Sequence, residues 1–171
     1  MLGKAVLVLL VVVVLAWLVG VAVLGHAGVL ALLFGAPDRP RIDFASLQRT
    51  ARPNQYLVCP PAACAAEVDR ESPVYAVPVT QLRDTFLAVV AGQPRVRLLA
   101  ADAAALYYEF EQQSRFMGFP DTISVQFIAP TPETSTLAIY SRAHYGYRDF
   151  GVNQARIDAW LAALKLPPAA P

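Results

Sequence analysis

The stretch Leu106-Tyr107-Tyr108-Glu109-Phe110-Glu111 decides the fold. Leu106, Tyr108 and Phe110 alternate with Tyr107, Glu109 and Glu111, the period-two pattern of a strand that buries one face. Downstream the pattern returns twice: Ile123, Val125 and Phe127 alternate with Ser124 and Gln126, then Leu137 and Ile139 with Ala138, Tyr140 and Arg142. Upstream, residues 95–101 (RVRLLAA) begin by alternating and read as a strand. Residues 74–79 (VYAVPV) read as a short strand that Pro78 confines to an edge or an end. Two helices frame these strands. Thr80 is predicted to cap a helix through Ala91, with Leu82, Phe86, Val89 and Val90 in one apolar stripe and Gly92 at its end. A second helix runs over residues 153–164 with Ile157, Trp160, Leu161 and Leu164 in a stripe, and Pro167 and Pro168 beyond it.

The resulting order, β-α-β-β-β-β-α, predicts an α+β domain: a curved antiparallel sheet with both helices on one face. The other face carries Tyr107, Glu109, Glu111, Ser124, Gln126, Tyr140 and Arg142. It is left open, or covered by the chain that precedes it, and a plain solvated surface is expected ahead of a binding surface.

The residues before this domain have a different solvent. The chain has 171 residues, 56% hydrophobic and 16% charged, but the apolar excess lies at one end. Of the first 35 residues only Gly3, Lys4, Gly20, Gly25, His26, Gly28 and Gly35 are not hydrophobic. Residues 5–25 alone supply the ~20 apolar positions that a bilayer-spanning helix needs, and the run is longer than the ~7–15-residue core of a cleavable signal. Residues 1–35 are therefore predicted to be an uncleaved transmembrane anchor, and the continuation to Phe34 would make a single helix overshoot the bilayer. Arg39, Arg41, Arg49 and Arg52 follow the span and favour a cytoplasmic domain, whereas the signal-like start favours an exported one. An exported domain is preferred, with the cytoplasmic-facing one as alternative.

Residues 36–58 are rich in proline and read as a stalk or linker, residues 59–166 as the domain, and 167–171 as a tail. Outside the anchor, basic and acidic groups balance at 13 each, so the field that nucleic-acid binding requires is missing. Cys59 and Cys64 are the only cysteines. Their spacing and the intervening prolines suit a structural disulfide, ahead of two buried thiols and of redox or metal chemistry. A disulfide would require an oxidising compartment.

The densest cluster of special residues lies between the last strand and the last helix, from Ser141 to Arg156. Gly146 and Gly151 allow unusual backbone angles and Asn153 is placed to cap the helix. Backbone N–H groups there, with Arg142, Arg148 or Arg156, would suit a carboxylate or phosphate. The plainer alternative is that Asp149 pairs with an arginine and pins the loop. The candidate ligand-binding residues are thus Arg142, Tyr145, Gly146, Asp149, Gly151, Asn153 and Arg156.

This ending, with Arg115-Phe116-Met117-Gly118-Phe119-Pro120-Asp121 and the string from Arg52-Pro53-Asn54 to Cys64, resembles the bacterial family known as domain of unknown function 1499. The resemblance spans about residues 52–165, and Gln154 stands where that family's pattern has a basic residue. It implies a small envelope-associated domain, often behind a signal or anchor, and brings no established activity.

Catalytic templates are sparse. No nucleophile elbow, phosphate loop, HExxH or EF-hand spacing occurs, and His144 is the only histidine of the domain. Glu109 and Glu111 share a strand face and would suit paired-carboxylate chemistry, though a solvated face explains them equally. No cofactor, metal or catalytic residue is predicted. The leading expectation is a single-pass membrane-anchored binding or assembly module for an envelope protein partner or a small anionic ligand. A hydrolase or transferase using Glu109, Glu111, Arg142, His144 or Asp149 is the alternative, and a structural subunit of a membrane complex the third.

Overall fold

A computed structural model describes residues 2–169. Helix α1, Leu2–Phe34, is interrupted at Gly25, whose φ of 70° and ψ of 168° are not helical. A continuous helix would place Gly20 and Val29 about 13 Å apart along its axis. Here a methyl group added at Gly20 would sit 3.1 Å from a Val29 methyl, so the chain turns back at Gly25. The apolar run therefore does not overshoot as one rod. Residues up to Leu24 expose their apolar side chains almost throughout, while Val29 and Leu30, beyond the break, are buried. The helix is long and apolar enough to cross a membrane.

The rest is α+β. Six strands follow: β1 (Gln55–Cys59), β2 (Arg70–Glu71), β3 (Val96–Asp102), β4 (Tyr107–Gln113), β5 (Pro120–Ile128) and β6 (Thr136–Ala143). They form one open sheet in the order β2-β1-β6-β5-β4-β3. Only β1 and β2 run parallel; every other neighbour is antiparallel, so the sheet is mixed rather than purely antiparallel. Helices α2 (Val79–Ala91) and α3 (Val152–Ala163) both cover one face. Phe86 of α2 and Trp160 of α3 meet edge to face at 6.0 Å, with Phe127 of β5 5.5 Å from Phe86.

Two expectations are corrected. Residues 74–79 are not a strand of the sheet: Tyr75 makes isolated bridges to Ser135 and Pro168, and α2 already begins at Val79. Pro78, with φ of −57°, starts that helix, because its carbonyl accepts the N–H groups of Gln81 and Leu82; Thr80 lies inside it. The strands missing from the predicted order are the two-residue β2 and, before it, β1, a QYLVC run between Asn54 and Pro60, all but Cys59 inside the segment expected as a stalk. Strand β1 lies beside β6, pairing Leu57 with Tyr140 and Val58 with Ile139.

The rest of that segment is also part of the body. Residues 36–54, hereafter the strap, lay Ile42, Phe44 and Leu47 over the sheet's second face, against Leu57, Cys59, Tyr107, Ala138 and Tyr140. That face is therefore not solvated. Tyr107, Glu109, Glu111, Ser124 and Tyr140 are all buried, Glu111 completely. The expectation that the preceding chain might cover it is the one realised. At the far end of β1, Cys59 and Cys64 form a disulfide. The expected tail reaches back as well: Ala169 N–H donates to the Val74 carbonyl, and residues 170–171 lie outside the described part.

Two stability outcomes follow from this packing. Phe86→Ala is expected to cost about 3–5 kcal/mol in urea unfolding, because the ring has no exposure and three aromatic neighbours. Replacing both cysteines by serine should cost about 2 kcal/mol, the loop-closure entropy of so short a loop, and reductant should reproduce that loss in the parent protein only.

Candidate functional site

The polar residues under the strap serve its attachment. Glu111 accepts two hydrogen bonds from Arg97, at 2.8 and 3.1 Å, one from Gln113 at 3.0 Å, and one from Arg39 of the strap. Burial pushes its carboxyl up, but the hydrogen bonds from Arg97 and Gln113 and the Arg39 charge outweigh that and hold it below the usual range. Glu109 accepts from the Tyr107 hydroxyl at 3.2 Å and from Ser124 at 3.1 Å. The same Tyr107 oxygen accepts the Ile42 N–H of the strap at 3.1 Å. The two glutamates thus have separate partners in a packed layer, and this is not the arrangement of a general acid and base flanking a substrate.

The loop before α3 is equally committed. The Asp149 carboxylate accepts the backbone N–H groups of Gly151 and Asn153, at 3.1 and 2.9 Å, and the Asn153 side-chain amide at 2.7 Å. An anion therefore already occupies the start of α3, and it belongs to the chain. Asp149 pins the loop, as the plainer reading held, but through amides rather than an arginine. Asn153 is not the cap. Its oxygen accepts from Ser141 at 2.6 Å and from Arg156 at 2.5 Å, while its amide donates to the Asn54 carbonyl at 3.1 Å. Arg156 is buried and pairs with Asp121 at 2.6 Å. Burial pushes the Asp121 carboxyl up; Arg156 offsets part of this and Asp149 adds to it. Gly146, at φ of 85°, turns the chain so that its carbonyl accepts from Asn54 at 3.0 Å.

What remains free lies one step away, where β6 meets the strap. A cleft of about 440 Å³ is lined by Phe34 of α1, by Asp38 and Arg52 of the strap, and by Arg142, His144 and Tyr145 at the end of β6. Arg142 spends one Nη on the Asp38 carbonyl at 3.2 Å, and its Nε is buried with no acceptor. The Nε of neighbouring Arg39 is in the same state. Tyr145 donates to the Gly35 carbonyl at 2.6 Å, its ring between those of Phe34 and Phe119. His144 lies 2.5 Å from the Thr122 hydroxyl. Burial, then the charges of Arg142 and Arg39, push its imidazole down to about 4, with Glu111 and Asp38 pulling the other way. The ring is therefore neutral at physiological pH, and the cationic groups around it are the arginines.

A larger groove of about 820 Å³ shares Arg52 with the cleft and is lined by Arg49, Glu67, Asp69, Asp149 and Gln154 among others. Arg49 is closed onto Asp69 at 2.9 Å and onto the Glu67 carbonyl at 2.8 Å. With its main cation spent and carboxylates on its wall, size does not make it the better anion site.

The seven residues read from the sequence thus divide. Arg142 and Tyr145 line the cleft; Gly146 adjoins it. Asp149 and Gly151 border the larger groove, and Asn153 and Arg156 lie buried behind the loop. Of the groups named for an alternative hydrolase, only Arg142 and His144 share a cavity. The strap's own contribution, Asp38 and Arg52, is not among the residues that the sequence marks as a site. The available signal was the QYLVC run between Asn54 and Pro60: read as a strand, it would have placed the residues before it on the sheet.

No curated protein matches this chain. Among solved structures, the crystal structure of protein CV1439 from Chromobacterium violaceum is similar at 15% identity over 67% of this chain and 94% of that one, with a TM-score of 0.30 that carries no argument. The family described as "Protein of unknown function (DUF1499)" matches residues 42–164, which take in most of the strap and every strand and helix of the body, and the chain belongs to that family.

Proposed function

We propose that the protein is a membrane-anchored binding module of the bacterial cell envelope, whose cleft between strap and β6 takes a small anionic group such as a carboxylate or phosphate. The observation that carries this reading is a cleft lined by two arginines, Arg142 and Arg52, of which Arg142 has only the Asp38 carbonyl as acceptor. An anionic oxygen in the cleft meets their remaining N–H groups with charge-assisted hydrogen bonds. The apolar α1 supports the anchored state, and the Cys59–Cys64 disulfide supports an oxidising, periplasmic side. The covered second face argues against that face as the docking surface for a partner. Chemistry on a bound substrate is not part of the reading, since His144 is the only neutral base in the cleft and faces Thr122.

His144 makes the cleft its own reporter. In the full chain in detergent, its imidazole midpoint by NMR is expected near 4, and saturating inorganic phosphate should raise it, because a nearby negative charge favours the imidazolium. Arg142→Gln should raise the midpoint of the ligand-free protein and weaken phosphate binding roughly 10–100-fold, the worth of a charge-assisted hydrogen bond. If phosphate, sulfate and dicarboxylates all leave the midpoint where it was, the cleft is not an anion site.

The same residue has a consequence for stability. A histidine with a depressed folded pKa contributes stability that is complete above its unfolded value of 6.5 and is lost as pH falls towards about 4. Urea midpoints measured across that interval should fall with acidification in the parent protein and fall less in His144→Gln.

A further inference from the structure

The loops that hold the cleft lie at one end of the sheet, and that end is also where the anchor arrives. A side chain added at Gly118, in the β4–β5 turn, would collide with His26 just past the Gly25 break. Phe34 stacks at 5.6 Å on Tyr145 of the β6–α3 loop, which also binds the Gly35 carbonyl. The opposite end, carrying Ser135 and Tyr75, lies the length of β5 away, about 27 Å.

Exposed apolar residues are gathered at the anchor end. Among the described residues after the strap, the large hydrophobic side chains that remain exposed are Val74, Leu98, Phe116, Met117, Tyr147, Phe150 and Val152. Five of these seven lie in or next to the two loops that touch residues 26–35. Phe116 is 81% and Phe150 93% exposed. Phe150 holds its ring out from a backbone at φ of 55°, a conformation that a bulky residue adopts only when surrounding structure compels it. Leu32, Leu33 and Phe34 add their own exposed apolar surface. The charges mixed into this rim are Arg115, Arg148 and Arg52, all exposed, with Arg115 lying over the Phe116 ring at 5.4 Å, and the exposed acid Asp38 beside Arg142. The nearby acids Asp121 and Asp149 are turned inward, onto Arg156 and onto the α3 amides.

We infer that this end of the body docks onto the bilayer that α1 enters, seating Phe116 and Phe150 at the level of the acyl-chain boundary and Arg115 and Arg148 among anionic phosphates. A lipid surface is the occupant that fits. Apolar side chains interleaved with arginines match an interface whose upper layer is anionic and whose lower layer is apolar. The anchor contacts place that interface beside these loops rather than at the far end. The inference rests on the membrane half of the proposed function and is independent of whether the cleft binds an anion.

Introduced tryptophan reporters in the full chain test it, read against the background signal of the Trp17→Phe chain. Phe116→Trp and Phe150→Trp are made in a Trp17→Phe background, in which the remaining Trp160 is buried in the core. The chains are reconstituted into nanodiscs of zwitterionic and anionic phospholipid brominated just below the headgroups. Both reporters should show blue-shifted emission and loss of intensity, while a Val74→Trp reporter at the far end should show neither. Arg115→Glu with Arg148→Glu should diminish the loss in anionic discs. Unquenched reporters on chains that still co-float with the discs would overturn the docking and leave the anchor standing; chains that do not float would overturn both. Quenching at Val74→Trp equal to that at Phe150→Trp, or reporters that are shielded only when a protein partner is added, would also overturn it. Phosphate-dependent movement of the His144 midpoint remains the separate readout for the cleft.

Discussion

Glu111 has no exposed surface and sits on a sheet face that an alternating strand would normally turn to water. A carboxylate in that position needs opposite charge at close range, or its desolvation destabilises the fold. Arg97, its register partner on β3, supplies one cation and Arg39 the other. The second cation comes from a segment with no regular secondary structure, more than seventy residues away in sequence. This ion triad therefore governs where the strap lies, and with it the burial of the whole second face.

Fixing the strap builds the rest by adjacency. With Arg39 tied down, Ile42, Phe44 and Leu47 fall onto Leu57 and Tyr140, and Asp38 is left beside Arg142. The cleft is the gap between a strap held by Glu111 and a loop held by Asp149. Each wall is kept in place by a carboxylate that has given up its own availability to ligands. The arginines then differ sharply in state. Arg156 and Arg97 are structural, Arg49 is closed onto Asp69, and Arg142, with only the Asp38 carbonyl as acceptor, lines the cleft with Arg52.

Much of the fold was legible because it follows local rules. Three of the four strands from β3 to β6 announce themselves by alternation, and both domain helices by an apolar stripe. The errors have physical causes. VYAVPV has strand-forming residues, but Pro78 serves as a helix start, which leaves the run too short to pair as more than a bridge. QYLVC is buried on both faces, between helices and strap, so it shows an apolar run rather than alternation and hides among prolines. The buried glutamates read as surface because the strap that covers them, with Arg39 and Ile42, is distant in sequence; nothing local distinguishes a paired carboxylate from a hydrated one. The loop before α3 holds the densest cluster of special residues in the sequence. Its residues turned out to spend their polar groups largely on one another, which composition does not reveal.

The break at Gly25 has one more consequence. Beyond it the chain packs Val29 and Leu30 and then enters the strap, so no long free leash separates α1 from the sheet. A receptor on a flexible tether samples a hemisphere of solution; in the anchored arrangement proposed above, the body would keep nearly constant height and search in two dimensions. For anything carried in the same leaflet, that confinement raises effective concentration without any added contact. For a freely dissolved solute it offers no such gain.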